Sequence, residues 1–165
     1  MMKKYRIQLN VLFMLVLLMG MVLGSFQAGK AQSGADWTIP VNLSLSGVAS
    51  APLMVVDSGG VIHVIWLDEV DGYKYSQSID GVKWSAPLSV TFPFDPEDTP
   101  PILLADTKGF IHVFWIDKRG GLNYGRTPSG DFGEPSKWGA VNLSQSVSSF
   151  DVALDALGQT HIAYI

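Results

Sequence analysis

The chain has 165 residues, 47% of them apolar and 16% charged, and it contains no cysteine. That composition belongs to a packed globular chain, and it excludes a disulfide framework, thiolate chemistry and a lipid anchor on cysteine. Fifteen acidic residues stand against eleven basic ones, with no basic stripe to track a phosphate backbone or an anionic membrane surface, so nucleic acid is excluded as an expected partner.

At the N-terminus, Lys3, Lys4 and Arg6 precede an uncharged apolar run from Val11 to Gly24, after which Ser25 to Ala31 turn small and polar. This is the three-part pattern of a secretory signal, with Gly29 and Ala31 suited to the −3 and −1 positions of cleavage. The run is shorter than the roughly 20 apolar residues of a spanning helix. Residues 1–31 therefore read as a signal peptide, and 32–165 as an exported portion, extracellular or periplasmic, with no stable membrane span after cleavage. Four of the eleven basic residues (Lys3, Lys4, Arg6 and Lys30) fall before that point, so the remainder carries a formal charge of −8.

Beyond the signal the sequence repeats itself. Asp57, Gly60 and His63 recur as Asp106, Gly109 and His112 and again as Asp155, Gly158 and His161, each step being 49 residues. Aromatic Trp66, Trp115 and Tyr164 follow at the same step, Pro52 pairs with Pro101, Asp68 with Asp117, and Tyr75 with Tyr124. Approximate repeat bounds are 37–83, 84–137 and 138–165.

Each repeat reads as strands. Leu53 to Val56 and Ile102 to Ala105 are short apolar runs, an Asp-x-x-Gly turn follows, and Ile62 to Leu67 and Ile111 to Ile116 are rich in β-branched and aromatic residues. The Asp can accept hydrogen bonds from amides two residues on, and the Gly can take the positive φ that closes the hairpin. A third strand is predicted near Tyr73 to Ser78 and Leu122 to Thr127, and a fourth near Trp84 to Val90 and Trp138 to Leu143. No stretch has helical periodicity. Four short antiparallel strands in a repeat of roughly 40–50 residues is the arithmetic of a β-propeller blade. A β-sandwich would also hold this many strands but gives no reason for a fixed period. The expected fold is all-β, about two and a half four-stranded blades of an incomplete propeller.

The segment Ser78-Ile-Asp80-Gly81-Val-Lys-Trp84 resembles the Asp-box of BNR-repeat propellers, the sialidase-like superfamily, whose pattern is Ser-x-Asp-x-Gly-x-x-Trp; one residue is missing between Asp80 and Gly81. The Gly-x-Ile-His-Val-x-Trp strand is also similar to secreted bacterial propellers of that superfamily, and the likeness runs from about Trp37 to the end. In the second repeat, Thr127 to Phe132 keeps only a Gly and an Asp, and Trp138 arrives late. The resemblance implies a structural role for Ser78, Asp80, Gly81 and Trp84, away from any active face, and makes Trp37, Trp84 and Trp138 equivalent anchors.

Catalysis of the sialidase type is not expected from this chain as given. It needs an arginine cluster for the substrate carboxylate and a Tyr–Glu nucleophile pair, whereas the exported part has only Arg119 and Arg126. Such residues would have to lie in missing blades, because four blades of this period exceed the exported length and the third repeat stops one strand past its turn. The chain is thus expected to be the N-terminal part of a longer propeller, or to self-associate if complete.

Three further groups invite chemistry. The equivalent His63, His112 and His161 are the only histidines and are expected to be hydrogen-bonded packing residues, not metal ligands. Asp95, Glu97 and Asp98 lie in a proline-rich connection, Thr91 to Pro101, and are weak candidates for calcium; a solvated connection is expected, with no cofactor. Trp66, Trp115 and Tyr164 are weak candidates for stacking on sugar rings; their place at the end of an apolar strand makes core packing the expected role. Asn42-Leu-Ser44 and Asn142-Leu-Ser144 are formal glycosylation sequons. The expected function is a secreted binding module for a glycan or another extracellular ligand, with a glycoside hydrolase or a protein-interaction propeller as alternatives. Fold alone cannot choose among them.

Overall fold

The computed structural model describes residues 39–165. The signal segment and Trp37 lie outside the described residues. Residues 41–165 form one unit, built from ten antiparallel strands in three sheets. The protein is all-β over this span, with only two single-turn 3₁₀ segments, Ser129–Asp131 and Pro135–Lys137.

The first sheet is a meander of β1 (Ala49–Val56), β2 (Ile62–Asp68), β3 (Gly72–Ser78) and β4 (Leu88–Ser89). The second repeats that order with β5 (Ile102–Ala105), β6 (Phe110–Ile116), β7 (Leu122–Pro128) and β8 (Gly139–Ser144). The third pairs β9 (Phe150–Leu154) with β10 (Thr160–Tyr164). The first strand of each sheet lies beside the first strand of the next, β1 against β5 and β5 against β9.

The predicted fourth strand of the first repeat is much shorter than expected. Ser85 still donates its N–H to the Gln77 carbonyl, but Pro87 has no N–H to continue the ladder, and pairing is confined to Leu88 and Ser89. The first strand, β1, begins four residues before the predicted Leu53, at Ala49; the remaining predicted strands match within a residue or two.

Both faces of the second strand are apolar because the sheets are stacked face to face. Val55, Ile65 and Tyr75 on one face of the first sheet meet Ile111, Val113 and Trp115 of the second, with Phe92, Phe94 and Phe132 wedged between them. The opposite face of the second sheet packs Ile116 and Leu122 against Val147, Phe150 and Ile162 of the third repeat. Translation by one repeat thus preserves the role of each face, and it is why His63 and His112 both point to the following sheet. At the start of the stack, Met54 and Val56 on the outer face of β1 are exposed.

Candidate functional site

The two ends of the sheets differ in what their residues do. At one end, the β1–β2, β5–β6 and β9–β10 turns are copies. Asp57 Oδ1 accepts from the N–H groups of Gly59 and Val61 at 2.9 and 2.8 Å, Asp106 Oδ1 from Lys108 and Phe110 at 2.9 and 2.8 Å, and Asp155 Oδ1 from Leu157 and Gln159, both at 2.8 Å. The fourth residue takes a φ of 81° at Gly60, 84° at Gly109 and 73° at Gly158, the left-handed conformation that favours glycine in a hairpin of this kind.

The second carboxylate oxygen of each Asp reaches the repeated histidine. His63 Nε2 lies 3.4 Å from Asp57 Oδ2, His112 Nε2 is 3.2 Å from Asp106 Oδ2, and His161 Nε2 is 3.2 Å from Asp155 Oδ2. On the other side of the ring, His63 Nδ1 is 2.8 Å from the Tyr75 hydroxyl and His112 Nδ1 is 2.9 Å from that of Tyr124. Burial holds the imidazole of His63 below its ordinary pKa against the pull of Asp57. A neutral ring donates Nε2–H to the carboxylate, and the Tyr75 hydroxyl beside Nδ1 of His63 donates to Gln77 Oε1 at 2.7 Å. Burial, and then the charge of Asp57, raise the pKa of Tyr75. Burial also pushes Asp57 up, but hydrogen bonds from Ser129, the Val61 amide, His63 and the Gly59 amide outweigh it and keep the carboxyl below its usual value. In the first two repeats both ring nitrogens thus face partners within their own sheet. Among the described residues no group of three or more His, Asp or Glu side chains is placed to hold a metal ion.

Ser78, Asp80, Gly81 and Trp84 close the β3–β4 connection at this same end. Ser78 Oγ accepts from the Gly81 amide at 2.9 Å, Asp80 Oδ1 accepts from the Val82 and Lys83 amides at 2.9 and 2.8 Å, and the Trp84 indole donates to the Gly81 carbonyl at 3.1 Å. In the second repeat only the last bond survives in altered form, Trp138 Nε1 to the Phe132 carbonyl at 3.1 Å. Arg126 also lies toward this end, its guanidinium 5.1 Å from the ring centre of Phe110.

At the opposite end the repeats diverge. The β2–β3 turn is Asp68-Glu-Val-Asp-Gly72, whereas the β6–β7 turn is Asp117-Lys-Arg-Gly-Gly121. Asp117 Oδ1 accepts from the Arg119 and Gly121 amides, Oδ2 accepts from the Asn123 amide group at 2.9 Å, and Gly120 has a φ of 83°. The Asn123 bond, the two backbone bonds and Arg119 hold the Asp117 carboxyl below its ordinary pKa. Sequence reasoning passed over this turn, although Asp117 and Gly120 repeat the Asp-x-x-Gly spacing it had recognised elsewhere.

Two surface pockets open at this end, in equivalent places. The first, about 250 Å³, is bordered by Ser44, Ala49 and Trp66, with Val41, Pro52 and Val64 making it largely apolar. The second, about 290 Å³, is bordered by Pro93, Asp98 and Trp115, which stand 49 residues beyond those three, together with Asp95, Asp117 and Arg119. Trp66 and Trp115 form pocket floors and are each only 4% exposed, in agreement with core packing, while Tyr164 is 55% exposed. The Trp66 indole N–H is buried and has no hydrogen-bond partner among the described residues.

The carboxylates of the proline-rich connection are not gathered around one point. Asp98 Oδ2 accepts from the Asp95 amide and Oδ1 from the Lys118 amide, at 2.8 and 3.1 Å, and Glu97 is 3.4 Å from Lys118 Nζ on the surface. The connection is pinned to the β6–β7 turn by these bonds. Thr99 adds two more, exchanging hydrogen bonds with the backbone of Ile116. Arg119 and Arg126 occupy opposite ends of one sheet, so they do not make a cluster that could grip a carboxylate together.

No protein-family model matches the chain, and no curated protein is found to be similar to it.

Proposed function

We propose that residues 32–165 form blades of an exported, sialidase-like β-propeller, and that this portion is a non-catalytic binding module whose ligand is a glycan. The observation that carries the reading is the in-line succession of β1, β5 and β9 under a 49-residue period, with each four-stranded meander stacked on the next. A propeller needs that arrangement around its axis, and a sandwich does not. The hydrogen bonding of Ser78, Asp80 and Trp84 supports the kinship, since all three serve the backbone of one hairpin. Separation of Arg119 from Arg126 argues against carboxylate-gripping catalysis within these blades.

The glycan assignment is tested by probing the purified exported protein on an array of neutral, sialylated and sulfated glycans. Reproducible binding to a defined glycan set supports the module. A blank array, with capture of an extracellular protein partner that survives deglycosylation, replaces it with a protein-interaction role.

A further inference from the structure

The 290 Å³ pocket of the second repeat combines features that its counterpart in the first repeat lacks. Its carboxylates are of two kinds. Asp98 and Asp117 spend their oxygens on backbone amides and on Asn123, and so shape the walls. Asp95 and, on the β6–β7 turn, Arg119 are both exposed residues that border the pocket. The rim therefore offers a charged acceptor and a charged planar donor, above a floor where Pro93 and the edge of Trp115 provide apolar surface. The walls are held by hydrogen bonds between two connections, so the pocket is formed before any ligand arrives.

We propose that this pocket binds a single neutral sugar ring, with Asp95 accepting from ring hydroxyls, Arg119 donating to them, and Pro93 with the edge of Trp115 meeting the apolar ring face. Neighbouring hydroxyls that each donate and accept match a rim carrying both kinds of partner. An anionic sugar is a poorer match, because three aspartates surround Lys118 and Arg119 at this pocket. The size suits one ring rather than a chain. In the first repeat, Ser44 and Ala49 stand where Pro93 and Asp98 do here, and no charged group borders the pocket. The site would thus be a product of divergence at one end of an otherwise repeated sheet.

This inference rests on the glycan-module reading, and saturation-transfer NMR titrations on the exported protein separate the two. The probes are the methyl glycosides of glucose, galactose and mannose, with sialyllactose as the anionic comparison. At least one neutral glycoside is expected to bind, with affinity falling roughly 10- to 100-fold in Asp95→Asn and in Arg119→Ala, the range for loss of a hydrogen bond to a charged group. Lys83→Ala, at the far end of the sheets, is expected to leave binding unchanged, and unaltered amide spectra of the surface variants exclude misfolding. Neutral-sugar binding that both rim variants retain overturns the site while leaving the module standing. Preference for sialyllactose, lost in Arg119→Ala, overturns the neutral-sugar assignment. A blank glycan array removes both readings together.

Discussion

A single residue type, the aspartate that opens each Asp-x-x-Gly turn, does two jobs with its two oxygens. Oδ1 replaces backbone partners inside the turn and Oδ2 orients the histidine of the next strand. The pair ties a surface turn to a buried ring, since His63 is stacked with Tyr75 and tilted against Phe132 at 6.0 and 5.1 Å between ring centres. His63→Ala is expected to destabilise the protein by about 2–4 kcal/mol, through the cavity and the loss of the ring's contacts with Asp57 and Tyr75, measured by urea denaturation. Gly109→Ala should cost about 1–2 kcal/mol by the same measurement, a purely conformational cost because the added methyl would meet nothing within 4 Å. Acid should unfold the chain in stages. His63 has a folded pKa below its unfolded value of about 6.5, so the unfolded state binds the proton first and stability declines as pH falls below that value. Asp57 and Asp106 also have lowered pKa values, so their contributions are present above about pH 3.8 and are lost as pH falls further. A His63→Gln variant should flatten the upper part of the stability–pH curve and leave the lower part; an unchanged upper part would contradict this account of the buried ring.

At the scale of elements, the sheets are joined by connections that carry more apolar surface than ordinary loops. Phe92 and Phe94 stack at 5.1 Å between centres, and Phe132 is 5.5 Å from both Phe92 and Trp138. All three phenylalanines are almost fully buried, so these segments form the inter-sheet core. Phe132→Ala is expected to cost about 3–5 kcal/mol and to raise amide exchange in both the first and second sheets. Exchange confined to residues 129–138 would show that the loop is peripheral. Much of this level was legible in the sequence: the hairpins followed from Asp-x-x-Gly spacing, and β2 and β6 from their β-branched and aromatic runs. Thr91 to Pro101 was not, because its prolines and carboxylates resemble a solvated connection. Its two phenylalanines are the signal that marked it as core. Pro87 likewise carried the information that the fourth strand would be short.

Across the described residues, a translation of 49 residues carries the second and third strands of the first sheet onto those of the second, yet Trp84 and Trp138 are 54 apart. The longer β7–β8 connection, with its two 3₁₀ turns, is offset by a shorter run from β8 to β9, so the stack keeps its step while one end changes shape. That is why the repeat could be read from sequence and the pockets could not: Pro93, Asp98, Trp115 and Arg119 are brought together by stacking and turn geometry, and no local pattern links them. Trp66 and Trp115 are buried and line the two pockets, whereas Tyr164 at the same repeat position is 55% exposed. The central claim is that the sheets are consecutive blades around one axis. A crystal structure of the protein tests it most directly. The account predicts that the first strand of every repeat lines a common central channel, with β1, β5 and β9 as successive members. Sheets stacked in a straight row, with β1, β5 and β9 bordering no common channel, would contradict it.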